Sequence, residues 1–180
     1  ADYSQIELRI LAHLSGDKNL IEAFLSGEDI HSRTASDIFG VFPAMVNAGM
    51  RRQAKVINFG ILYGMSAFGL SKELGLNPKM AQTYIDGYFT KYSGVRGFLD
   101  GILEEARING YVTTLLNRRR FLPEINSPNI PIRQFAERTA INTPIQGTAA
   151  DLIKVAMLNI HNLIRKEKLK AAMIMQVHDE

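Results

Sequence analysis

The chain has 180 residues, of which 46% are hydrophobic and 22% are charged, and its formal net charge is +3. This length allows one good core or two small subdomains, and the composition is typical of a globular protein. The absence of cysteine excludes disulfides and thiolate metal sites. The sequence has no apolar run long enough to cross a membrane and no signal peptide. The mild basic excess suits a polyanionic partner without identifying one.

The first residues are interpreted as the end of a strand followed by a helix. Asp2 and Tyr3 would close the strand. Ser4 would cap the helix, because Glu7 follows three residues later as in a capping box. Apolar residues at helical spacing then continue to Gly16, where the helix should end.

Capping residues, prolines and terminating glycines predict helices through most of the following chain. The predicted segments are 17–27, 29–40 with His31 in its first turn, a short turn from Pro43, 50–64, 66–75, 78–91 and 94–108. No internal repeat or low-complexity segment interrupts this series. The first part of the chain is therefore expected to be almost entirely helical.

A short β-rich stretch follows the helices. Tyr111–Leu116 should form a strand, and Asn117 should begin a turn. The basic run 118–120 comes next, and it can be either a solvated turn or a phosphate-binding segment. The turn-forming residues 123–131 resemble a linker.

The C-terminal part is predicted to contain two helices and a strand. A helix over 132–142 should be broken by Pro144, and a long helix should run from about 146 to 168. The small residues GTAA at the start of the long helix would allow close backbone approach. Its expected core positions are Ile153, Met157 and Leu158. The apolar residues 171–177 are typical of a strand.

The helix predicted at 50–64 carries the most informative pattern. A residue advances about 100° around a helix axis, so side chains sort into faces. One face carries Arg51, Lys55, Asn58 and Phe59, with Tyr63 at its edge, and an apolar face carries Ala54, Ile57 and Ile61. Arg51 to Phe59 spans about 12 Å, roughly the length of a nucleoside triphosphate. The cations would lie along the phosphates and Phe59 beneath the sugar and base; the alternative is an ordinary solvated face.

Carboxylates lie at both ends of the chain. Asp2 would end one strand, and Asp179 and Glu180 would follow another. If those strands pair, the carboxylates meet at one edge of a small sheet. Mg²⁺ prefers oxygen ligands, and two metals about 4 Å apart serve phosphoryl transfer well. The alternative is that these terminal acids are simply exposed.

Three segments together resemble the polymerase motifs of family A DNA polymerases, most closely those of bacterial members. The segments are DYSQIELR, the spaced residues Arg51, Arg52, Lys55, Phe59, Gly60, Tyr63 and Gly64, and the terminal VHDE, with NTPIQGTAADL in between. The resemblance covers essentially the whole chain, and three motifs in this order are far more specific than any one. It implies a fragment of a DNA-templated DNA polymerase, a nucleotidyltransferase of DNA replication and repair.

The resemblance also implies how the metals would be held. Asp2 and Asp179 would be the catalytic aspartates that bind two Mg²⁺ ions, for which Mn²⁺ can substitute. The Tyr3 carbonyl would be a further metal ligand. Lys55 would act catalytically on the transferred phosphoryl group, and Glu180 would be an auxiliary acid.

Further roles implied by the resemblance concern the dNTP and the primer–template DNA. The dNTP-binding residues would be Gln5, Glu7, His31, Arg51, Lys55, Phe59 and Tyr63. Glu7 would exclude a 2′-hydroxyl, Phe59 would lie beside the sugar, and Tyr63 would occupy the templating position until the helix closes. The DNA-binding residues would be Arg119, Asn142, Gln146 and His178. For His31, a surface histidine at a helix start is the alternative.

The implied fold class is α+β: mostly helical fingers with part of an antiparallel-sheet palm, the right-hand polymerase fold. Residues 1–12 would be the first part of the palm, 13–131 the fingers with nucleotide-binding helix 50–64, and 132–180 the second part of the palm. The thumb, the first palm strands and the rest of the palm hairpin would lie outside the chain. The isolated fragment is therefore expected to be inactive.

Two other functions remain open at this level. The chain could be a basic helical module that holds nucleotide or DNA without chemistry, or a two-metal nuclease or phosphatase. The cation–aromatic helix face argues against a hydrolase, which need not hold a nucleoside triphosphate.

The parent enzyme is expected to be a cytoplasmic monomer at the bacterial nucleoid, without a membrane partner.

Overall fold

The computed structural model describes residues 2–178. Its elements are α1 (Ile6–Ser15), α2 (Lys18–Leu25), α3 (Ile30–Phe39), a 3₁₀ turn (Pro43–Met45), α4 (Ala48–Leu62), α5 (Ala67–Leu74), α6 (Pro78–Lys91), α7 (Ser93–Asn109), β1 (Tyr111–Thr113), β2 (Arg119–Phe121) and α8 (Ile130–Lys166). Mostly helices with one small antiparallel sheet confirm the predicted α+β class. No helix within 2–178 is both long and apolar enough to cross a membrane.

Side-chain caps begin most of the helices where the sequence predicts them. Asp17 Oδ1 accepts the Leu20 N–H at 3.0 Å, and Asp29 Oδ2 accepts the Ser32 N–H at 3.1 Å. The predicted cap at Ser4 is wrong. The residue before α1 is Gln5 in a left-handed conformation with no side-chain cap, whereas a capping side chain needs extended backbone.

The main core is formed where α1, α4, α6, α7 and α8 pack together. Its largest fully buried side chains include Leu8, Leu11, Ile57, Leu62 and Tyr88. A second, smaller cluster lies between α7, the hairpin and the first part of α8. Burial of these apolar side chains contributes most of the stability that holds α4 against its neighbours.

The β1–β2 hairpin packs on α8 at its small residues. Thr113 pairs with Arg119, and the turn passes through Asn117 at φ 61°. A Cβ added to Gly147 would lie 2.6 Å from Thr114 Cγ2. The predicted close backbone approach at GTAA is therefore confirmed, although the sequence did not show that β2 is a strand.

Helix α8 continues through Pro144, so the predicted break is wrong. A proline removes one hydrogen bond of the helix ladder, here the bond to the Ala140 carbonyl. Pro144, Ala140, Ile141 and Ile145 are all buried. Packing on both sides of the proline therefore holds the helix together across the missing bond.

Neither predicted terminal strand is present. Residues 2–3 and 171–177 have no regular secondary structure. A strand is stabilised by neighbouring strands, and in the described part of the chain β1 and β2 pair only with each other. The sheet edge at which the carboxylates were predicted to meet is therefore absent from residues 2–178. Asp179 and Glu180 lie outside the described residues, so their meeting with Asp2 stays a prediction.

The second half of α8 is largely exposed. Leu158 is 63% exposed and Leu163 is 52% exposed, so the prediction of Leu158 as a core residue is wrong. Ile153 is partly buried against the main core, as predicted. The helical spacing of apolar residues correctly shows an apolar face, but within residues 2–178 no element covers it fully.

Candidate active site

Helix α4 presents two cations, Arg51 and Lys55, on a face distinct from its buried apolar face. Asn47 caps the helix by accepting the Met50 N–H at 3.0 Å. The predicted apolar residues Ala54, Ile57 and Ile61 are buried, and Arg51 and Lys55 are exposed. The predicted division of α4 into an apolar and a cationic face is therefore confirmed for these residues.

Asn58 does not belong to the exposed face, which corrects the sequence prediction. Its side chain is fully buried between α4 and α3. Its Nδ2 lies 3.1 Å from His31 Nδ1 and 3.1 Å from Thr34 Oγ1, and Thr34 donates to Asn58 Oδ1 at 3.2 Å. A buried amide must be hydrogen-bonded, and α3 supplies these partners. Asn58 thus joins two helices instead of facing a ligand.

His31 lies near Arg51 and Lys55, which together form the cation row of α4, and against the aromatic ring of Phe59. It is 3% exposed, and its ring centroid lies 5.9 Å from that of Phe59. Burial lowers the pKa of His31, and the positive charges of Arg51 and Lys55 lower it further, against the opposite effect of Asp29. His31 is therefore neutral at pH 7, and the alternative of a surface histidine is wrong.

Arg51 forms a two-point ion pair with Asp29. Its Nε lies 2.7 Å from Asp29 Oδ2, and its Nη2 lies 3.0 Å from Oδ1. The Arg51 guanidinium holds the pKa of the Asp29 carboxyl well below its usual range, so the pair is charged at neutral pH. The sequence identified Asp29 only as a helix cap, because nothing in a single sequence indicates which residues of two different helices pair.

An open cleft of about 320 Å³ lies at the C-terminal end of α4. Its walls come from α1, α4, α8 and the chain near 178. Six residues predicted for the site line it: Gln5, Glu7, Phe59, Tyr63, Gln146 and His178. The cleft thus brings together residues that lie far apart in the sequence.

Tyr63 and Glu7 meet across this cleft. The Tyr63 hydroxyl donates to Glu7 Oε2 at 2.9 Å. Burial and this carboxylate raise the pKa of Tyr63 to about 12, while the Gln146 side chain acts in the opposite direction. Tyr63 therefore remains a protonated donor, and the contact ties the end of α4 to α1.

The predicted metal ligands are only partly described. Asp2 and Tyr3 are exposed and line a neighbouring cavity of about 480 Å³, which meets the cleft at Ile153. Within residues 2–178 no group of three His, Cys, Asp or Glu side chains could hold a metal ion. An Asp2 carboxylate and a Tyr3 carbonyl are the hard oxygen donors that Mg²⁺ takes. The pairing of Asp2 with Asp179 remains a prediction.

The remaining predicted DNA contacts lie on the hairpin and α8. The Arg119 guanidinium stacks 4.8 Å from the Tyr111 ring centre. Asn142 Oδ1 is buried and has no hydrogen-bond partner within the described chain. Arg118 is exposed, and its Nε donates to Asp151 Oδ1 at 2.9 Å, so both interpretations of the run 118–120 stay open.

Comparisons with known proteins cover the whole chain. A model of DNA polymerase family A matches residues 1–180. DNA polymerase I of Geobacillus stearothermophilus is 57% identical over 180 residues, and that of Bacillus subtilis (strain 168) is 54% identical; each match spans 100% of this chain and 20% of the relative. The chain thus spans about a fifth of the length of these relatives.

A solved structure shares the fold. The POL domain of Pol1 from M. smegmatis, in complex with DNA primer-template and dNTP, matches 99% of this chain and 31% of its own chain. The TM-score is 0.95 and the sequence identity is 48%. The family match over residues 1–180 and these similarities establish that the chain belongs to DNA polymerase family A.

Proposed function

We propose that this chain forms the dNTP-binding and catalytic part of a DNA-templated DNA polymerase. The cleft that joins six predicted site residues, directly beyond the cation row of α4, is the observation that carries the proposal. In this assignment residues 1–12 and 132–180 belong to the palm and 13–131 to the fingers. The partners named for the M. smegmatis structure, primer–template DNA and dNTP, support the same assignment.

The triphosphate would lie along the exposed face of α4. Arg51 and Lys55 are one helical turn apart, so they can contact successive phosphates. His31 adds a neutral N–H donor, and Gln5 at the start of α1 adds another donor within the cleft. Lys55 is the residue that stabilises charge on the phosphoryl group during transfer.

The sugar and base would occupy the cleft. Phe59 provides an apolar surface beside the sugar, and Glu7 faces it from α1. Because Glu7 is held by the Tyr63 hydroxyl, its position is fixed, and a 2′-hydroxyl would meet this carboxylate. This arrangement favours deoxyribonucleotides.

Two Mg²⁺ ions would be held by Asp2, Asp179 and the Tyr3 carbonyl, with Glu180 nearby. When bound, such ions activate the primer 3′-hydroxyl and stabilise the charge on the leaving pyrophosphate. The carboxylates position these ions, while the cations of α4 hold the other end of the triphosphate.

The nascent base pair would be checked without reading its sequence. Gln146 lines the cleft on α8, and His178 lines it from the C-terminal side. Both side chains can donate to minor-groove acceptors, which correct base pairs present at similar positions. Asn142 and Arg119 would contact the DNA further along the same surface.

Primer extension tests this proposal in a chimaera in which the chain replaces the corresponding segment of the G. stearothermophilus relative. Asp2→Ala and Asp179→Ala should each lower the extension rate at least about 1,000-fold, because the metal ligands act in the transition state. DNA affinity should change little, since phosphate contacts dominate it. Asp86→Ala, at an exposed carboxylate of α6, is the matched control. Near-normal extension by either aspartate variant contradicts the proposal, and binding of DNA and dNTP without extension by the parent chimaera would favour a binding module.

A further inference from the structure

The ion pair between α3 and α4 has a geometry that bears on the triphosphate site. Asp29 takes one edge of the Arg51 guanidinium, formed by Nε–H and one N–H of Nη2. The two N–H groups of Nη1 and the second N–H of Nη2 lie outside this pair. We propose that Asp29 is a positioning residue, which holds one edge of Arg51 so that the other edge meets the phosphates. This inference rests on the proposed function.

Asp29 is itself held in place. Its Oδ2 accepts from the Ser32 N–H at 3.1 Å and from the Ser32 hydroxyl at 2.6 Å, in addition to Arg51 Nε. The carboxylate therefore cannot turn away without breaking the cap of α3. A fixed carboxylate at a helix N-terminus can define the plane of a guanidinium, because the two groups match in a two-point contact.

Arg51 needs such a partner to be oriented. Its side chain is 47% exposed and lies in the first turn of α4, so the packed core does not fix it. An exposed arginine samples many rotamers, and ordering it on binding lowers affinity. Asp29 restricts those rotamers before the nucleotide arrives.

The alternative is that Asp29 competes with the triphosphate for Arg51. Two observations favour positioning. Asp29 is held at the α3 N-terminus by the Ser32 N–H and hydroxyl, so its carboxylate occupies a fixed place beside one edge of the Arg51 guanidinium. In addition, the same turn of α3 carries His31, so the pair lies where a second phosphate donor faces α4.

The test uses the same chimaera and measures single-turnover incorporation over a range of dNTP concentrations. Asp29→Asn removes the charged partner of Arg51 while an Asn can still cap α3. It should raise the dNTP dissociation constant about three- to tenfold, and it should leave the maximal rate within about twofold. In an Arg51→Ala background the same change should have no further effect. Asp17→Asn, at an N-cap that binds Leu20 and Gly94 N–H groups, should not alter dNTP affinity.

The kinetic results separate failure of the positioning role of Asp29 from failure of the proposed function. If Arg51→Ala weakens dNTP binding but Asp29→Asn leaves it unchanged or tightens it, the positioning role is wrong and the proposed function stands. If Arg51→Ala leaves affinity unchanged, the assignment of Arg51 to the triphosphate fails, and the positioning role fails with it.

A second measurement tests the pairing without nucleotide. In NMR spectra of the 180-residue chain, the Arg51 Nε–H should exchange slowly with water, and Asp29→Asn should abolish this protection. Rapid Nε–H exchange in the unsubstituted chain would overturn the inference, whatever the kinetic result.

Discussion

The two sides of the proposed active site differ in how they are built. On the triphosphate side, α3 and α4 bring His31, Thr34 and Asn58 together in a buried network. On the metal side, Asp2 and Tyr3 are exposed, and the segment 171–177 has no regular structure. The first side is held by contacts between helices that are close in sequence, whereas the second depends on strand pairing that residues 2–178 do not supply. Within residues 2–178 the contacts between helices hold the triphosphate side of the proposed site, whereas Asp2 and Tyr3 are exposed and lie outside regular secondary structure.

The largest effect expected on the triphosphate side is at Lys55. In the chimaera, Lys55→Ala should lower the single-turnover rate about 100- to 1,000-fold, because a cation opposite developing phosphoryl charge acts in the transition state. Arg51→Ala should act mainly on dNTP affinity. Lys79→Ala, at an exposed cation of α6, is the control and should change neither quantity. Equal rates for the Lys55 variant and the control would show that the cation row does not serve the chemistry.

The buried network should be essential for stability, in contrast to the exposed half of α8. Asn58→Ala in the 180-residue chain should lower the free energy of unfolding by about 2–4 kcal/mol, since it removes the buried hydrogen bonds that Asn58 makes with His31 and Thr34. The matched control is Asn159→Ala on the exposed part of α8, which should change it by less than about 0.5 kcal/mol. Urea denaturation measures both. Similar losses of unfolding free energy for the Asn58 and Asn159 variants would contradict the role of the buried network in stability.

Sugar discrimination should respond to the contact that joins α1 to α4. Glu7→Ala should raise the ratio of ribonucleotide to deoxyribonucleotide incorporation about tenfold or more. Tyr63→Phe keeps the ring but removes the hydrogen bond to Glu7, so its ratio should be intermediate.

A substitution at Phe59, on the other side of the proposed sugar position, tests the sugar site independently of Glu7. Phe59→Tyr should ease incorporation of 2′,3′-dideoxynucleotides, because its hydroxyl can replace the missing 3′-hydroxyl. Steady-state competition between nucleotides measures each ratio. If Glu7 and Phe59 variants discriminate as the unsubstituted chimaera does, the sugar does not lie in the cleft.

The smallest expected effect is the pH dependence caused by His31. Its pKa is lowered in the folded chain, so the unfolded chain binds the proton more readily. Stability should therefore be fully present above the ordinary histidine pKa and should fall as pH drops below about 6.5, with a slope of at most about 1.4 kcal/mol per pH unit. His31→Gln removes this titration. Identical pH profiles of unfolding for the two chains would contradict the buried neutral state.

The sequence predicted the helices well because their signals are local. Caps such as Asp17 and Asp29 and terminating residues such as Gly40 act within one helical turn, so a single sequence contains them. The prediction of a helix break at Pro144 was wrong because it also rested on a local signal. Its local effect breaks a helix, but burial on both sides outweighs that effect, and burial is not a local property.

The candidate site was predicted mainly through its family resemblance, and its internal contacts were not. Asn58 falls on the polar face by helical spacing, yet it is buried because α3 covers that part of α4. The pair of Arg51 with Asp29 and the contact of Tyr63 with Glu7 join separate helices. Such contacts depend on how helices pack, which periodicity in one segment cannot reveal.

The contact between Gly147 and the hairpin also defines a pair of substitutions linked by genetic suppression. Gly147→Ala should disrupt packing, because the new methyl group would collide with Thr114 Cγ2. Thr114→Ser removes that methyl group but keeps the hydroxyl that accepts the Arg118 N–H at 3.1 Å. A selection for restored polymerase function, started from a chimaera carrying Gly147→Ala, should therefore recover Thr114→Ser as a second-site revertant. The two positions would then be free to vary together over evolutionary time, although Gly147 could not change first.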